Sequence, residues 1–320
     1  MSTIAVLGGT GVQGGSVIKQ LLNTSAWKPR ALTRNINSEK AKALASLGIE
    51  VVAADVNDEA SLVKAFEGVT AIFAVTTYWE SVMTLGRDGA GEEELQQLKN
   101  IASAAQKTTT LAHFVMSSLP PSDKSSGGRL KVPHFDYKQK AVDWMKEATP
   151  ELYAKTSQIW PGWYPTNLTT LPMVKFLEIP NTYGGYLFTQ PSKPSSLLPI
   201  VGDIEHNFGV VVVGLLNAGQ KAYGKIAVCV TDYLPMTQVV SVFEEVTGKR
   251  AAYAEISDET ATKLYGVYGA EYAAQLRWSE AFPSWEQIDP ENTISLDELQ
   301  VKEKLIGFKD TLETLKEKIV

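Results

Sequence analysis

The first half of the chain alternates short apolar, β-branched runs with segments whose apolar residues recur at helical spacing. The apolar runs predict strands at Thr3–Leu7, Pro29–Thr33, Glu50–Ala53, Thr70–Val75 and Ala112–Ser117. The segments between them predict helices at Gly11–Asn23, Ser38–Leu47, Glu59–Phe66 and Glu92–Lys107. Strands that alternate with helices form parallel sheets covered on both faces, with right-handed crossovers. The pattern therefore predicts an α/β fold with a doubly wound parallel sheet.

The second half of the chain has a different pattern. Seven of the fifteen prolines lie between Trp160 and Ile200, and proline both fixes φ and removes a backbone donor. We expect irregular structure there, linking the sheet to a smaller C-terminal α/β lobe. Helical spacing predicts helices at Met236–Thr247, Ser257–Leu276 and Asp310–Ile319. We place one domain at 1–159 and a smaller substrate or partner lobe at 160–320, with the chain returning to the sheet.

One long connection, Leu119–Pro133, is rich in proline, serine and glycine. Loops of this length are usually functional or mobile. Its composition fits a substrate lid and a plain flexible surface loop equally well.

A glycine-rich octapeptide directly follows the first predicted strand and opens the first helix. It reads Gly8-Gly9-Thr10-Gly11-Val12-Gln13-Gly14-Gly15. Glycines in this context allow a tight turn, close approach of backbone amides to a pyrophosphate and close packing of helix on strand. The helix N-terminus adds free N–H groups and a positive dipole end. We predict a Rossmann dinucleotide site at 1–159, built from Gly8, Thr10, Gly11, Val12, Gln13 and Gly14.

The residues after the second and third strands address the adenosine half of the cofactor. An NAD site places an acid after the second strand, but this chain has Thr33-Arg34-Asn35. A guanidinium at Arg34 can pair with a 2′-phosphate, which favours NADP(H) over NAD(H); a solvated arginine is the alternative. After the third strand, Asp55 and Val56 are placed to meet the adenine amine, unless Asp55 only neighbours a helix cap.

Composition narrows the class of protein. The formal net charge is −6 and no dense Lys/Arg block is present, which disfavours direct binding of DNA or RNA. Cys229 is the only cysteine, so no intramolecular disulfide can form. It lies in an apolar run and is expected to be a small buried hydrophobe.

Targeting and metal signals are weak. The longest apolar run, Phe208–Leu216, has nine residues, whereas a membrane span needs about 20. The N-terminus lacks the basic region of a signal peptide. We expect no membrane association and a cytoplasmic location, with the nucleus as the alternative. The three histidines are scattered without ligand spacing, so we expect no metal site.

Ligands of open parallel sheets lie beyond the carboxyl ends of the strands. After the fourth strand come Thr76 and Thr77, which we expect to line the ribose of the nicotinamide. Tyr78 and Trp79 follow and are expected to wall the pocket, with a surface role as the alternative. The Ser117-Ser118 pair ends the fifth strand at a similar position.

Four stretches resemble the NmrA-like proteins, which are atypical members of the short-chain dehydrogenase/reductase superfamily. These stretches are the octapeptide at 8–15, Thr33-Arg34, Thr76–Glu80 and His134–Lys138. The resemblance spans about residues 3–170 and continues more weakly to 307–312. The family includes nitrogen-metabolite regulators, HSCARG-like NADP(H)-binding redox sensors and reductases.

The resemblance implies a catalytic role for Lys138, because catalytic members carry Ser, Tyr and Lys, with the tyrosine four residues before the lysine. Here His134 occupies the tyrosine position. Lys138, His134 or a bound water then remains as the proton donor, and Ser117 can hold a substrate oxygen. Tyr137 is adjacent to Lys138 and points about 100° away on a helix. A capping role at the helix start is the alternative for His134.

The resemblance also assigns the segment Ile159–Asn167 to the nicotinamide end of the site. Pro161 and Gly162 would hold the carboxamide through their backbone. An apolar cavity for a flat, ring-containing ligand would be formed by Trp160, Trp163 and Tyr164, with Asn167 as a polar contact and Ser118 and Trp79 nearby. The same aromatic residues would also suit a core between the two lobes.

Two functions follow from these residues. One is an NADPH-dependent reductase of a ring-containing small molecule. The other is a catalytically silent NADP(H) sensor that regulates transcription through a protein partner. Either is compatible with a monomer or a homodimer.

Overall fold

The computed structural model describes residues 2–320. The strands are β1 (Ser2–Val6), β2 (Trp27–Thr33), β3 (Glu50–Ala53), β4 (Ala71–Ala74), β5 (His113–Ser117), β6 (Thr156–Pro161), β7 (Leu177–Ile179), β8 (Gly185–Gln190), β9 (Leu197–Ile200), β10 (Ile226–Cys229), β11 (Asp232–Pro235) and β12 (Arg250–Glu255). The helices are α1 (Val12–Leu22), α2 (Glu39–Ser46), α3 (Glu59–Ala65), α4 (Val82–Gln106), α5 (Ser122–Ser125), α6 (Pro133–Ala148), α7 (Pro150–Tyr153), α8 (Asn167–Thr170), α9 (Ile204–Ala218), α10 (Met236–Thr247), α11 (Asp258–Ala281) and α12 (Phe308–Ile319).

The central sheet has seven parallel strands in the order β10-β6-β5-β4-β1-β2-β3. The chain winds outward from β1 to β3, and then from β4 in the opposite direction. Such a reversal opens a crevice at the carboxyl ends of β1 and β4, where ligands of this fold bind. The doubly wound fold predicted from the sequence is confirmed. The main difference is α4, which begins at Val82 rather than Glu92, because Gly86 (φ +72°) interrupts its helical spacing.

Both faces of the sheet are buried at its centre, which explains why the central strands β1 and β4 are largely apolar runs. On β1, Ile4 and Val6 face the core that contains α1 and α9. The alternate residues Ala5 and Leu7 face a second core under α3, α4 and α6. Cys229 of β10 is fully buried, as expected, and burial raises the pKa of its thiol to about 12.

After the segment at 160–200 the chain returns to the domain that contains the central sheet. Helix α9 packs against α1, where the Gly209 amide donates to Ser16 Oγ at 2.9 Å. A Cβ added to Gly209 would lie 2.3 Å from the Ser16 carbonyl oxygen, so only glycine permits this approach. Strand β10 then completes the sheet beside β6. No helix within residues 2–320 is both long and apolar enough to cross a membrane.

The smaller C-terminal lobe contains the sheet β12-β8-β7, the pair β11-β9 and helices α10 to α12. Its core includes a stack of Phe176 on Phe243, with ring centroids 3.8 Å apart. The segment 160–200 contains more regular structure than predicted, because β7, β8, β9 and α8 all lie there. The prolines lie where they disturb little regular structure. Pro161 is the last residue of β6, and Pro199 lies in β9, which belongs to a sheet of only two strands.

The Leu119–Pro133 connection is a packed segment rather than a detached lid or a plain surface loop. Ser122 is fully buried, and its hydroxyl donates to Asp136 Oδ2 at 2.7 Å. The Asp123 amide donates to the other oxygen of the same carboxylate at 2.8 Å. On the opposite side, Trp278 Nε1 of α11 donates to Ser125 Oγ at 3.0 Å. These bonds anchor the segment to both α6 and α11.

His113 has the structural role expected of it. Its Nε2 lies 2.7 Å from Ser157 Oγ, and that hydroxyl donates its own proton to the Ala222 carbonyl. The imidazole is therefore the donor to Ser157. Burial lowers the pKa of His113 to about 4.

This burial predicts acid sensitivity of the fold. The pKa of His113 is about 4 in the folded chain against an ordinary 6.5, so the unfolded chain binds the extra proton first. The stability conferred by neutral His113 is complete above pH 6.5 and is lost as the pH falls towards 4, by about 3 kcal/mol in all. Urea unfolding at several pH values measures how the free energy of unfolding changes with pH. Between pH 6.5 and 4 this change should be smaller in His113→Asn than in the unaltered protein. The control is His206→Gln at a partly exposed histidine, and an unchanged slope in His113→Asn would contradict the assignment.

Candidate functional site

The glycine turn at the end of β1 forms one wall of the crevice. Gly8 has φ +60°, a conformation that favours glycine, and the Gly11 amide closes the turn by donating to the Gly8 carbonyl at 2.8 Å. Helix α1 begins immediately after Gly11 and has no side-chain cap. Its first-turn amides are thus left for an anion, as a pyrophosphate-binding helix requires.

Close packing behind this turn explains why residue 14 must be glycine. A Cβ added there would lie 2.3 Å from the Gly8 carbonyl oxygen and 2.7 Å from that of Leu7. Next to it, Gln13 Nε2 donates to the Tyr164 hydroxyl at 2.6 Å. The other amide atom, Gln13 Oε1, is buried without a hydrogen-bond partner in residues 2–320. A buried acceptor without a partner fits a site that is completed by a ligand.

A cleft of about 330 Å³ lies beside the glycine turn. Thr10, Gly11 and Val12 line it on one side, and Lys40 of α2 lies on the other. The sequence reasoning missed Lys40, although its position near the start of the helix after Arg34 was an available signal. Together with Lys19 of α1, which also lines the cleft, Lys40 places positive charge beside the glycine turn.

Arg34 is held by Glu80 in a bidentate ion pair. The two nitrogen–oxygen distances are 3.0 and 3.1 Å, and both side chains are more than half exposed. Glu80 ends the 3₁₀ turn that follows β4. In this arrangement Glu80 occupies the guanidinium face that a 2′-phosphate would use.

Asp55 shapes the turn after β3. Its Oδ1 accepts from the backbone amide of Asn57 at 2.9 Å and from the side-chain amide at 3.2 Å. The N-cap of α3 is Asp58, so Asp55 lies three residues before the cap and does not itself cap the helix. Val56 is half-buried, and its carbonyl accepts from Asn100. The position of Asp55 as an adenine contact stays a prediction.

Lys138 is buried on α6 in a group with Glu94 and Thr76. Its ammonium contacts Glu94 Oε1 and lies 3.5 Å from Thr76 Oγ1, which itself donates to Glu94 at 2.8 Å. Glu94 Oε2 is buried without a partner in the described chain. The sequence reasoning missed Glu94, because a run of three glutamates on a helix is typical of a solvated face. Thr77, by contrast, is exposed.

One helical turn before Lys138, His134 is held by a carboxylate from α11. Glu271 Oε1 accepts from the His134 amide at 2.9 Å and contacts Nδ1 at 2.5 Å. Arg87 Nε donates to Glu271 Oε2 at 2.5 Å. Burial opposes ionisation of Glu271, but the bonds from His134 and the nearby Arg87 charge outweigh it and lower the pKa of this carboxyl. Neither Glu271 nor Arg87 was predicted from the sequence.

An aromatic wall covers the imidazole of His134. The Trp79 ring lies over it with centroids 4.9 Å apart, and Tyr268 of α11 stacks on the outer face of Trp79 at 5.6 Å. Tyr78 is buried on the other side, and its hydroxyl donates to the Arg87 carbonyl at 2.9 Å. Tyr78 and Trp79 are thus brought to the predicted site.

The expected single cavity of Trp160, Trp163 and Tyr164 is not formed, and this prediction is wrong. Trp160 is 1% exposed in a core cluster with Trp278 and other aromatic residues. Trp163 is 4% exposed in the separate core of the C-terminal lobe. Trp160 lies within β6, where alternate side chains enter opposite faces, and Trp163 follows the strand into the second lobe. Only Tyr164 contacts the crevice, through Gln13.

Of the two adjacent serines, Ser118 makes a hydrogen bond through its hydroxyl and Ser117 does not. Ser118 is fully buried, and its Oγ accepts from Gln139 Nε2 at 3.0 Å. Ser117 ends β5, and its hydroxyl makes no hydrogen bond within residues 2–320. Ser117 is therefore the serine left available for a ligand oxygen.

Two further predicted residues, Tyr137 and Gly162, are engaged elsewhere. The Tyr137 hydroxyl donates to Asp88 at 3.3 Å, so the structure does not bring it to His134. The Gly162 amide, next to Pro161, donates to the Cys229 carbonyl at 3.1 Å, which leaves only carbonyl groups there for a ligand. Asn167 begins α8.

Comparison with known proteins identifies the family. The model of the NmrA-like family matches residues 1–310. The chain belongs to the NmrA-like family. One relative, the NmrA-like family domain-containing oxidoreductase cpsB of Aspergillus campestris (strain IBT 28561), is 30% identical over 258 residues, which cover 78% of this chain and 74% of cpsB. The family resemblance of the sequence motifs is thereby confirmed.

Solved structures share the NmrA-like fold. The negative transcriptional regulator NmrA, in complex with NADP, superposes with a TM-score of 0.77 at 22% identity, covering 99% of this chain and 95% of NmrA. The Citrobacter sp. triphenylmethane reductase, complexed with NADP(H), gives 0.72 at 18% identity, covering 98% and 99%. One NmrA-like fold therefore serves both a regulator and a reductase.

Proposed function

We propose that this NmrA-like protein binds NADP(H) and is an NADPH-dependent reductase of a ring-containing small molecule. The observation that carries the proposal is the burial of Lys138 with Glu94 and Thr76, one helical turn from a histidine that faces an aromatic wall. Burying charged groups costs free energy, and such groups therefore cluster at functional sites. The oxidoreductase name of the relative cpsB and the NADP(H) bound to the Citrobacter reductase support the same reading.

The crevice fits a nicotinamide dinucleotide. The glycine turn and the uncapped start of α1 suit the pyrophosphate, and Gln13 Oε1 needs a donor. Arg34 and Lys40 supply positive charge at the adenosine end. When bound, NADPH supplies a hydride from C4 of its nicotinamide ring.

Each remaining residue has a role that follows from its contacts. Lys138 would bind the ribose hydroxyls with its ammonium, while Glu94 and Thr76 hold that ammonium in place. Ser117 would donate to a substrate oxygen. Trp79, with Tyr268 stacked on it, forms an apolar aromatic wall beside His134, which favours a substrate that contains rings.

The Arg34–Glu80 pair predicts a measurable effect on cofactor choice. Glu80→Gln removes the carboxylate that competes with the 2′-phosphate, so affinity for NADP⁺ should rise up to about fivefold, with NAD⁺ unchanged. Arg34→Gln should lower affinity for NADP⁺ roughly tenfold or more. Calorimetric titration measures both, with Glu59→Gln at another exposed ion pair as the control. An equal gain for NAD⁺ and NADP⁺ in Glu80→Gln would exclude competition at the 2′ position.

Hydride transfer tests the proposed activity directly. The purified protein is incubated with a metabolite extract and NADPH deuterated at C4, and mass spectrometry searches for deuterated products. The intact protein and Lys146→Ala, an exposed lysine on the same helix, should transfer label, whereas Lys138→Ala should lose most of it. Label transfer by Lys138→Ala at the normal rate would contradict the role given to this lysine.

The second candidate function is an NADP(H) sensor that acts through a protein partner. It is favoured by His134 at the position of the superfamily tyrosine and by the regulator NmrA among the structural neighbours. Bound NADPH without any label transfer, together with clearly different affinities for NADPH and NADP⁺, would support the sensor. Equal affinities and unchanged proteolysis of the 119–133 segment would count against it.

A further inference from the structure

Glu271 holds His134 as a carboxylate holds a histidine in a catalytic triad. It accepts from the backbone amide and contacts Nδ1 of the same residue, which fixes both the position of the helix turn and the rotation of the ring. Arg87 binds the other carboxylate oxygen. Glu271 is fully buried and ionised, so the proton of a neutral imidazole is placed on Nδ1.

The second ring nitrogen of His134 is left free. Nε2 makes no hydrogen bond to any residue of the described chain and is not sealed from solvent. The imidazole lies against Trp79 and one helical turn from Lys138, on the same face of α6. A nitrogen with no partner, on a ring fixed from behind, is placed to exchange a proton with a bound molecule.

The neighbouring ionisable groups are engaged in other ways. The Tyr137 hydroxyl donates to Asp88, and burial raises the pKa of Tyr137 to about 12. The Tyr78 hydroxyl donates to the Arg87 carbonyl, and burial raises its pKa still further. Lys138 is bound by Glu94. Of these side chains only His134 has a ring nitrogen, Nε2, without a hydrogen-bond partner in the described chain.

We propose that His134 is the proton donor of the reductase and that Glu271, itself oriented by Arg87, is its positioning residue. The proposal rests on the proposed reductase function. The donor and its positioning residue come from two helices, α6 and α11, and lie 137 positions apart in the chain.

The step balances for a carbonyl substrate. The hydride brings its electron pair to the carbonyl carbon, and NADPH is oxidised to NADP⁺. The π electrons of the carbonyl move to oxygen, and the oxygen takes the proton from Nε2 of the imidazolium. Neutral His134 then recovers a proton from solvent, while Glu271 remains ionised throughout.

Two probe molecules separate proton donation from a merely structural role. Reduction of para-nitrobenzaldehyde needs a hydride and a proton, because it forms an alkoxide. Reduction of malachite green, a cationic triphenylmethane dye, needs only the hydride. We expect His134→Gln to slow aldehyde reduction by about 100-fold or more and to leave dye reduction within about twofold. Glu271→Gln should slow aldehyde reduction roughly tenfold and spare the dye.

Matched controls are His206→Gln, at the partly exposed histidine of α9, and Glu280→Gln, on the same helix as Glu271. Both should leave the two rates unchanged. Equal losses with both probes in His134→Gln would overturn the donor role, because a structural defect slows every hydride transfer.

A spectroscopic readout tests the geometry without turnover. Nitrogen-15 NMR of the imidazole should find the proton of neutral His134 on Nδ1, and Glu271→Leu should abolish that preference. A proton on Nε2 in the intact protein would contradict the positioning role of Glu271 while leaving the reductase intact. Conversely, reduction of neither probe and no label transfer from NADPH would contradict the reductase, and with it the donor role, whatever the tautomer.

Discussion

Replacing Gly14 with alanine is expected to destabilise the fold by about 1–3 kcal/mol and to weaken NADP⁺ binding roughly tenfold or more. The added Cβ would lie 2.3 Å from the Gly8 carbonyl oxygen and 2.6 Å from its carbon. Both are backbone atoms, so no side-chain rotation relieves the clash. The turn from Gly8 to Gly11 must move instead, and its amides then no longer converge on the pyrophosphate.

Gly15 provides the matched control, because it is the next residue of the same helix. The nearest atom to a Cβ there is 3.8 Å away, which is ordinary contact. Gly15→Ala should therefore stabilise the chain slightly, since alanine is the better helix former by about 1 kcal/mol. Thermal unfolding of the two variants should move in opposite directions, and calorimetric titration measures the loss of NADP⁺ binding in Gly14→Ala. Similar behaviour of both would refute the steric account of Gly14.

Removing the carboxylate of Glu94 is expected to have the largest effect on stability. Glu94→Leu leaves the Lys138 ammonium buried without the group that binds it, and breaking one side of a buried ion pair costs about 3–5 kcal/mol. The double variant Glu94→Leu/Lys138→Met should recover most of that loss, because two apolar side chains need no partner. Urea unfolding measures the three free energies.

The exposed Glu92, on the same helix as Glu94, supplies the comparison. Glu92→Leu should change the free energy of unfolding by no more than about 0.5 kcal/mol. If the double variant at positions 94 and 138 were no more stable than Glu94→Leu alone, the loss in Glu94→Leu would not come from the unpaired Lys138 ammonium. Loss of NADP(H) binding in the double variant is expected in any case, because Lys138 belongs to the proposed site.

His134 stands where catalytic members of the superfamily have a tyrosine, and this difference changes what the surrounding residues must do. A tyrosine has one hydroxyl proton to donate, whereas a histidine has two ring nitrogens, so its ring rotation and tautomer must be fixed. In this chain Glu271 and Arg87 provide that support from α11 and α4. Departure from the usual motif is thus matched by a second set of contacts, which the single motif residue does not reveal.

Local patterns predicted the first half of the chain well. The central strands of the sheet are apolar on both faces, and the lengths and spacing of the strands are visible in the chain. The glycine turn is equally local, because its geometry depends on residues within one short loop and the start of one helix. For the same reason the sequence placed Thr76, Tyr78 and Trp79 at the end of β4 correctly.

The aromatic segment was the least predictable part. Trp160 and Trp163 are as apolar as any pocket residues, and nothing in the segment itself states which of them is covered. Their burial in two different cores depends on α11 and on the C-terminal lobe. Residue type indicates that such side chains avoid water, but only the packing partner decides whether they line a cavity or fill a core.

What the sequence determined by itself is the doubly wound sheet, the glycine turn and the positions of Lys138 and His134 one helical turn apart. Hydrophobic period, turn chemistry and helical spacing are local properties, so they can be worked out from the chain. What only the tertiary structure decided is the partner of each charged group: Glu94 for Lys138, Glu271 for His134 and Glu80 for Arg34. Those pairings join residues 44 to 137 positions apart, and such contacts are set by the packing of whole elements rather than by any local pattern.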